Sequence, residues 1–155
     1  MSVYLLIRMA HFLGACVLLG TGAGIAFFML MAHRTRDPRL IAHTAQIVVV
    51  ADLVFTATAV VLQPITGWLM ARILGYPLRG WIGAALILYV ITGLCWLPVV
   101  AIQIRLRDLA RAAADAGEAL PPLYDRLFQI WVALGVPAFA AVLGIVWLMV
   151  ARPDF

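Results

Sequence analysis

Four apolar stretches, each long enough to cross a lipid bilayer, take up most of this 155-residue chain. They run from about Val3 to Ala32, Leu40 to Ala71, Trp81 to Ile104 and Leu123 to Val150. A hydrocarbon core of roughly 30 Å needs about 20 apolar helical residues, so each run suffices for one crossing. Lipid offers the backbone no hydrogen-bond partners, which restricts spanning segments to helices or closed barrels. No β-type alternation is present to build barrel strands. The expected fold is therefore all-α, a polytopic membrane protein built as an up-down-up-down four-helix transmembrane bundle. We expect one domain over residues 1–155, with helices near 3–32, 39–72, 81–116 and 122–151.

Composition agrees. Hydrophobic residues make up 66% of the chain and charged ones only 12%, with a mean hydropathy of +1.08, outside the range of a soluble domain. The net charge of +4 is no sign of nucleic-acid binding. The basic residues sit in short turns between apolar runs, where they meet lipid head groups. All 11 are arginine, so lysine Schiff-base or lysine-ligand chemistry is excluded. The two cysteines, Cys16 and Cys95, fall inside predicted helices and read as apolar filler rather than a redox motif. The first run is too long for a signal-peptide core and reads as a retained membrane helix.

The turns are short and chemically explicit. Asp37 and Pro38 match an N-cap and first helical position for helix two. Leu74-Gly75-Tyr76-Pro77 is a turn. Alanine and alternating charge after Arg105 extend helix three beyond the lipid to about Gly117, and Pro121-Pro122 start helix four. Arg34, Arg36, Arg39, Arg105, Arg107, Arg111 and Arg126 fall at one end of the bundle; Arg8, Arg72, Arg79 and Arg152 fall at the other. The arginine-rich side is expected to be cytoplasmic, which places both termini in the periplasm of a bacterial inner membrane. Trp68, Trp81, Trp147, Tyr4 and Tyr76 read as an aromatic belt at the outer face. The second run, about 48 Å long as a helix, is expected to bend or become irregular at Gln63-Pro64-Ile65-Thr66-Gly67.

Few polar residues lie inside the lipid. A charged Asp52 at mid-bilayer costs about 2.5–3.5 kcal/mol on insertion scales, so it must be protonated or paired. Helical phasing sets Thr56, Gln63 and Thr66 on its side of helix two. Helix three carries a matching stripe of Tyr89, Thr92, Trp96 and Gln103. The two stripes should face each other, either as interhelical glue worth about 0.6–2 kcal/mol per contact or as a proton-transfer or substrate site. Helix four is expected mainly to close the bundle.

Helix one supplies a second candidate. His11 lies two turns in, with Arg8 one turn before it and Gly14 and Ala15 one turn after. Imidazole is an axial ligand of haem iron, Arg8 suits a propionate, and small residues leave room for a macrocycle. The alternative is a buried histidine bonded to a neighbouring helix. His33 and His43 belong to the opposite boundary and its solvated turn, where a ligand pair of the two is geometrically permitted. Cys16, Gly20 and Gly24 form a small-xxx-small pattern suited to packing, dimerisation or cofactor contact.

Tyr4-Leu5-Leu6-Ile7-Arg8-Met9-Ala10-His11, Ala51-Asp52-Leu53-Val54-Phe55-Thr56 with the following Gln63-Pro64-Ile65-Thr66-Gly67, and Gly75-Tyr76-Pro77-Leu78 resemble one family over essentially the whole chain. Cys95-Trp96-Leu97-Pro98-Val99-Val100 and Gln103-Ile104-Arg105-Leu106-Arg107-Asp108-Leu109 belong to the same likeness. It is a family of small bacterial integral membrane proteins described as a domain of unknown function. A weaker likeness, mostly in helix one, is to four-helix membrane protoporphyrinogen oxidases and copper-resistance-type membrane domains. That likeness implies haem b at His11. It also implies a lysine in helix three, which this chain lacks.

Three functions follow as expectations. One is a redox or haem-related membrane protein that binds b-type haem through His11 and Arg8. Another is a proton-linked transporter centred on Asp52, Thr56 and Gln63. The third is an accessory or assembly subunit, as a homo-oligomer or within a larger membrane complex.

Overall fold

The computed structural model describes residues 2–154. The chain folds into helix α1 (Val3–Thr35), α2 (Pro38–Ala51), a π-helical turn (Asp52–Thr56), α3 (Ala57–Leu74), α4 (Trp81–Ala116) and α5 (Pro122–Ala151). Because α2, the π-turn and α3 run on without a break, the molecule has four helical rods. All four are long and apolar enough to cross a membrane. The described residues are helical apart from the short connections, and form a four-helix membrane bundle.

Local chemistry sets the ends. The Asp37 side chain accepts the Arg39 N–H at 2.8 Å, and Pro38 opens α2 where its missing N–H costs nothing. Gly75 and Gly117 take φ values of 69° and 67°, and their N–H groups close α3 and α4 on carbonyls of the last turn.

The arginine-rich half of the bundle is tightly packed. Met29, Ile41, Ala45, Leu106, Ala110 and Tyr124, drawn from four helices, are each fully buried there. The Arg36–Asp125 ion pair ties the end of α1 to the start of α5. Arg107 and Arg111 of α4 both reach the Gln46 side chain of α2 at 3.4 Å. Beyond the π-turn the partners change. α2 packs between α1 and α4, whereas α3 leans mainly on α1, and α4 lies along α5. The far half therefore consists of two helix pairs with space between them.

The second rod departs from expectation at Pro64. α3 passes through Pro64 as an α-helix, and the irregularity lies two turns earlier, in the π-turn. Pro64 has no N–H to offer the Val60 carbonyl four residues back. The Tyr89 hydroxyl of α4 donates to that carbonyl instead, so the helix keeps its course. In the small-residue patch of helix one, Gly22 faces Phe139 of α5, while Gly20 and Gly24 do not pack inside the bundle. A Cβ on Gly20 or Gly24 would touch nothing within 4 Å, whereas one on Gly14 would collide with the Gln63 amide nitrogen. The close approach to α3 falls at Gly14, nearly two turns nearer the terminus than Gly20. A Gly14→Leu variant is expected to melt several degrees lower in detergent, from overpacking of about 1–3 kcal/mol. Gly20→Leu should match the parent protein, and equal melting of the two variants would contradict this packing.

Candidate functional site

The polar residues of the two stripes gather around Asp52, which opens the π-turn. The turn is closed by the Ala57 N–H donating to the Asp52 carbonyl, one residue further along than in an α-helix. Asp52 is 2% exposed. Trp96 Nε1–H of α4 donates to its Oδ1 at 3.2 Å. The orientation of the Gln103 amide follows from its neighbours. With Nε2 toward Asp52 it donates to Oδ2 at 3.1 Å, and its oxygen accepts Trp131 Nε1–H at 3.3 Å. A relay therefore runs from α5 through Gln103 of α4 to the carboxylate at the head of the π-turn. Thr56, buried one turn on, has a hydroxyl without a hydrogen-bond partner.

Trp131 was not among the residues singled out from sequence, and its position changes the reading of the fourth rod. α5 does more than close the bundle. Tyr124, Phe128 and Trp131, spaced four and three apart, form an aromatic ladder on its inner face. His33 of α1 stacks on Phe128, with centroids 3.8 Å apart and planes at 4°. His33 is thus packed into the bundle rather than placed in a solvated turn, while His43 is exposed. The two imidazoles do not share one environment.

The space between the helix pairs is a cavity of about 620 Å3, within the usual range for small-molecule sites. Asp52, Thr56 and Gln63 line one wall, and Tyr89, Thr92, Trp96 and Gln103 line the adjoining one. The remainder is apolar, from α1 and α5. Not every polar group is available to a ligand. Thr92 donates to its own Leu88 carbonyl at 2.9 Å, Tyr89 to Val60, and Gln63 to the His11 carbonyl at 2.8 Å. Among the described residues, no basic side chain lines the cavity.

His11 lies one turn outside the cavity, toward the N-terminal end. Its Nδ1 is 2.8 Å from Thr66 Oγ1, and the ring edge packs over Gly67. The Thr66 hydroxyl has one proton, directed to the Leu62 carbonyl at 2.7 Å. It therefore accepts from His11, which assigns the proton to Nδ1 and leaves Nε2 with its lone pair. Thr66 thus turns to helix one rather than helix three. Arg8 is exposed. Cys16 and Cys95 are both free thiols. At the same end, Arg72 lies over Trp68 at 5.7 Å and Arg152 over Trp81 at 5.9 Å, as expected of an interfacial aromatic belt.

The relay yields a stability test. Gln103→Leu strands both Asp52 Oδ2 and Trp131 Nε1–H, at a cost of about 1–3 kcal/mol for each buried group. Thermal or denaturant unfolding in detergent should show the loss, with Gln129→Ala on the exposed face of α5 as a near-neutral control. A Gln103→Leu protein as stable as the control would contradict the relay.

No curated protein and no solved structure matches the chain. A family model described as "Predicted integral membrane protein (DUF2269)" matches residues 5–153. With nearly every residue covered, the chain belongs to that family of predicted integral membrane proteins.

Proposed function

We propose that the protein binds a lipophilic small molecule between its helices and couples binding to the protonation of Asp52, the binding step of a proton-linked transporter. The observation that carries this reading is a buried carboxylate on the wall of a 620 Å3 cavity that no basic residue lines. A structural carboxylate in lipid is normally matched by a cation from a neighbouring helix. Asp52 is met by neutral groups alone, the Trp96 and Gln103 donors and the adjacent Thr56 hydroxyl. These hold the carboxyl in place and leave its charge open to exchange with a proton. The π-turn adds weight, since such turns recur at functional sites and mark where a helix shifts register. In a bacterial inner membrane, the arginine distribution favours both termini in the periplasm.

The cavity reading is tested with N-phenylnaphthylamine, a neutral lipophilic fluorophore, added to the purified protein in nanodiscs. Saturable quenching of tryptophan fluorescence is expected. Gly135 lines the cavity and has open space at its Cβ, so Gly135→Phe should abolish saturable quenching by filling the site. Quenching that survives in Gly135→Phe would exclude the cavity as the binding site.

A second reading, b-type haem held by His11 with Arg8 as propionate partner, is favoured by the His11 tautomer. An axial histidine uses a nitrogen lone pair while its other N–H is held by a second group, the role Thr66 Oγ1 fills. His11 would supply one nitrogen ligand and Gly67 relieves crowding beside its ring, whereas the space at Gly14, expected to admit a macrocycle, is taken by the Gln63 amide. Bound haem would supply one-electron chemistry there. Protein purified from haem-supplemented cells should then show a Soret band that His11→Ala removes; no band in the parent protein would dismiss this reading.

A further inference from the structure

The cavity wall also specifies the charge of its ligand. The hydroxyl protons of Tyr89 and Thr92, and an amide proton of Gln63, are spent on the backbone carbonyls of Val60, Leu88 and His11. An anionic ligand would meet a carboxylate, committed donors and no basic side chain. A neutral polar ligand would find one hydroxyl not held by a backbone carbonyl, that of Thr56 beside Asp52. A cation finds complementary groups. Asp52 supplies the negative charge, and Trp96, Trp131, Tyr89, Phe128 and Phe139 present aromatic side chains around the same space. Ring faces attract cations, and the attraction grows when the cation is desolvated. The apolar remainder of the wall suits a cation whose charge is wrapped in hydrocarbon.

We propose that the ligand of this cavity is a lipophilic organic cation, held by Asp52 and the aromatic wall around Trp96 and Trp131. The inference rests on the cavity being a binding site, as proposed above. It accounts for two features together: a carboxylate with no basic partner, and a wall whose Tyr89 and Thr92 hydroxyl protons are committed to backbone carbonyls. It also specifies the exchange, because a cation and a proton compete for the same carboxylate and the site returns to neutrality with either one bound.

The test compares tetraphenylphosphonium with tetraphenylborate, two ions of the same shape and opposite charge. Binding is measured on the protein in zwitterionic nanodiscs and read as the difference from Gly135→Phe, which removes partition into lipid. Tetraphenylphosphonium should bind at least about tenfold more tightly than tetraphenylborate, and Asp52→Asn should remove that preference. N-Phenylnaphthylamine binding by Asp52→Asn serves as the check that the cavity remains folded. Equal or tighter binding of the borate, or an unchanged phosphonium affinity in Asp52→Asn, would overturn the inference. If Asp52→Asn does not fold, phosphonium affinity of the parent protein is followed against pH. Among the described residues the other titratable hydroxyl on the wall is Tyr89, committed to Val60. His33 stacks on the wall residue Phe128 from α1, so the same measurement is made on His33→Phe: affinity should fall on acidification in both proteins, and an affinity that is pH-independent in either would overturn the proposal. Binding of the neutral fluorophore without the cation would defeat this inference alone, whereas binding of neither would defeat the cavity reading too.

Discussion

A polar group buried in hydrocarbon has no water to fall back on, so its partners must come from neighbouring helices. Asp52 imposes that requirement most strongly here, and the bundle is organised around meeting it. The carboxylate draws Trp96 and Gln103 from α4, and Gln103 in turn draws Trp131 from α5. Three of the four rods are thereby held in one register. Pro64 makes a smaller demand of the same kind, and Tyr89 meets it from the same face of α4. The remaining rod, α1, is tied in through Gln63 and Thr66, which reach the carbonyl and the ring of His11.

The two halves of the molecule differ because the second rod changes partners. In the arginine-rich half, α2 packs between its neighbours, and small residues such as Ala45 and Ala110 let the helices close on a filled core. The π-turn adds one residue to a helical turn and redirects the rod beyond it. α3 then leans on α1, and the resulting gap between helix pairs is the cavity. Asp52 stands at the junction, with the packed core on one side and the cavity on the other. A shift in the register of the π-turn would alter both the carboxylate's partners and the width of the gap, so the proposed coupling between ligand and proton would act through this turn.

The rods and most polar contacts were legible in the sequence because lipid enforces simple rules. Apolar run length located the helices, and helical phasing was enough to bring Asp52 together with Trp96 and Gln103. Other features were not legible, for identifiable reasons. Trp131 sits in an almost wholly apolar helix, where tryptophan reads as packing; the spacing of Tyr124, Phe128 and Trp131 was the available signal. The π-turn contains neither glycine nor proline, and Pro64 drew the expectation of irregularity to the wrong turn. His33 looked solvated from its arginine neighbours, although a stack on Phe128 depends on how α1 and α5 cross. Gly20 and Gly24 matched a packing motif that the bundle does not use internally.

The central claim is that Asp52 exchanges a proton for a ligand in the cavity. It is tested most directly by measuring proton release with a pH indicator, in weakly buffered detergent solution, as tetraphenylphosphonium is added to the purified protein. At a pH where Asp52 is protonated before binding, about one proton should leave per cation bound, and Asp52→Asn should release none. Saturable cation binding with no proton release at any pH, or equal release by Asp52→Asn, would contradict the account.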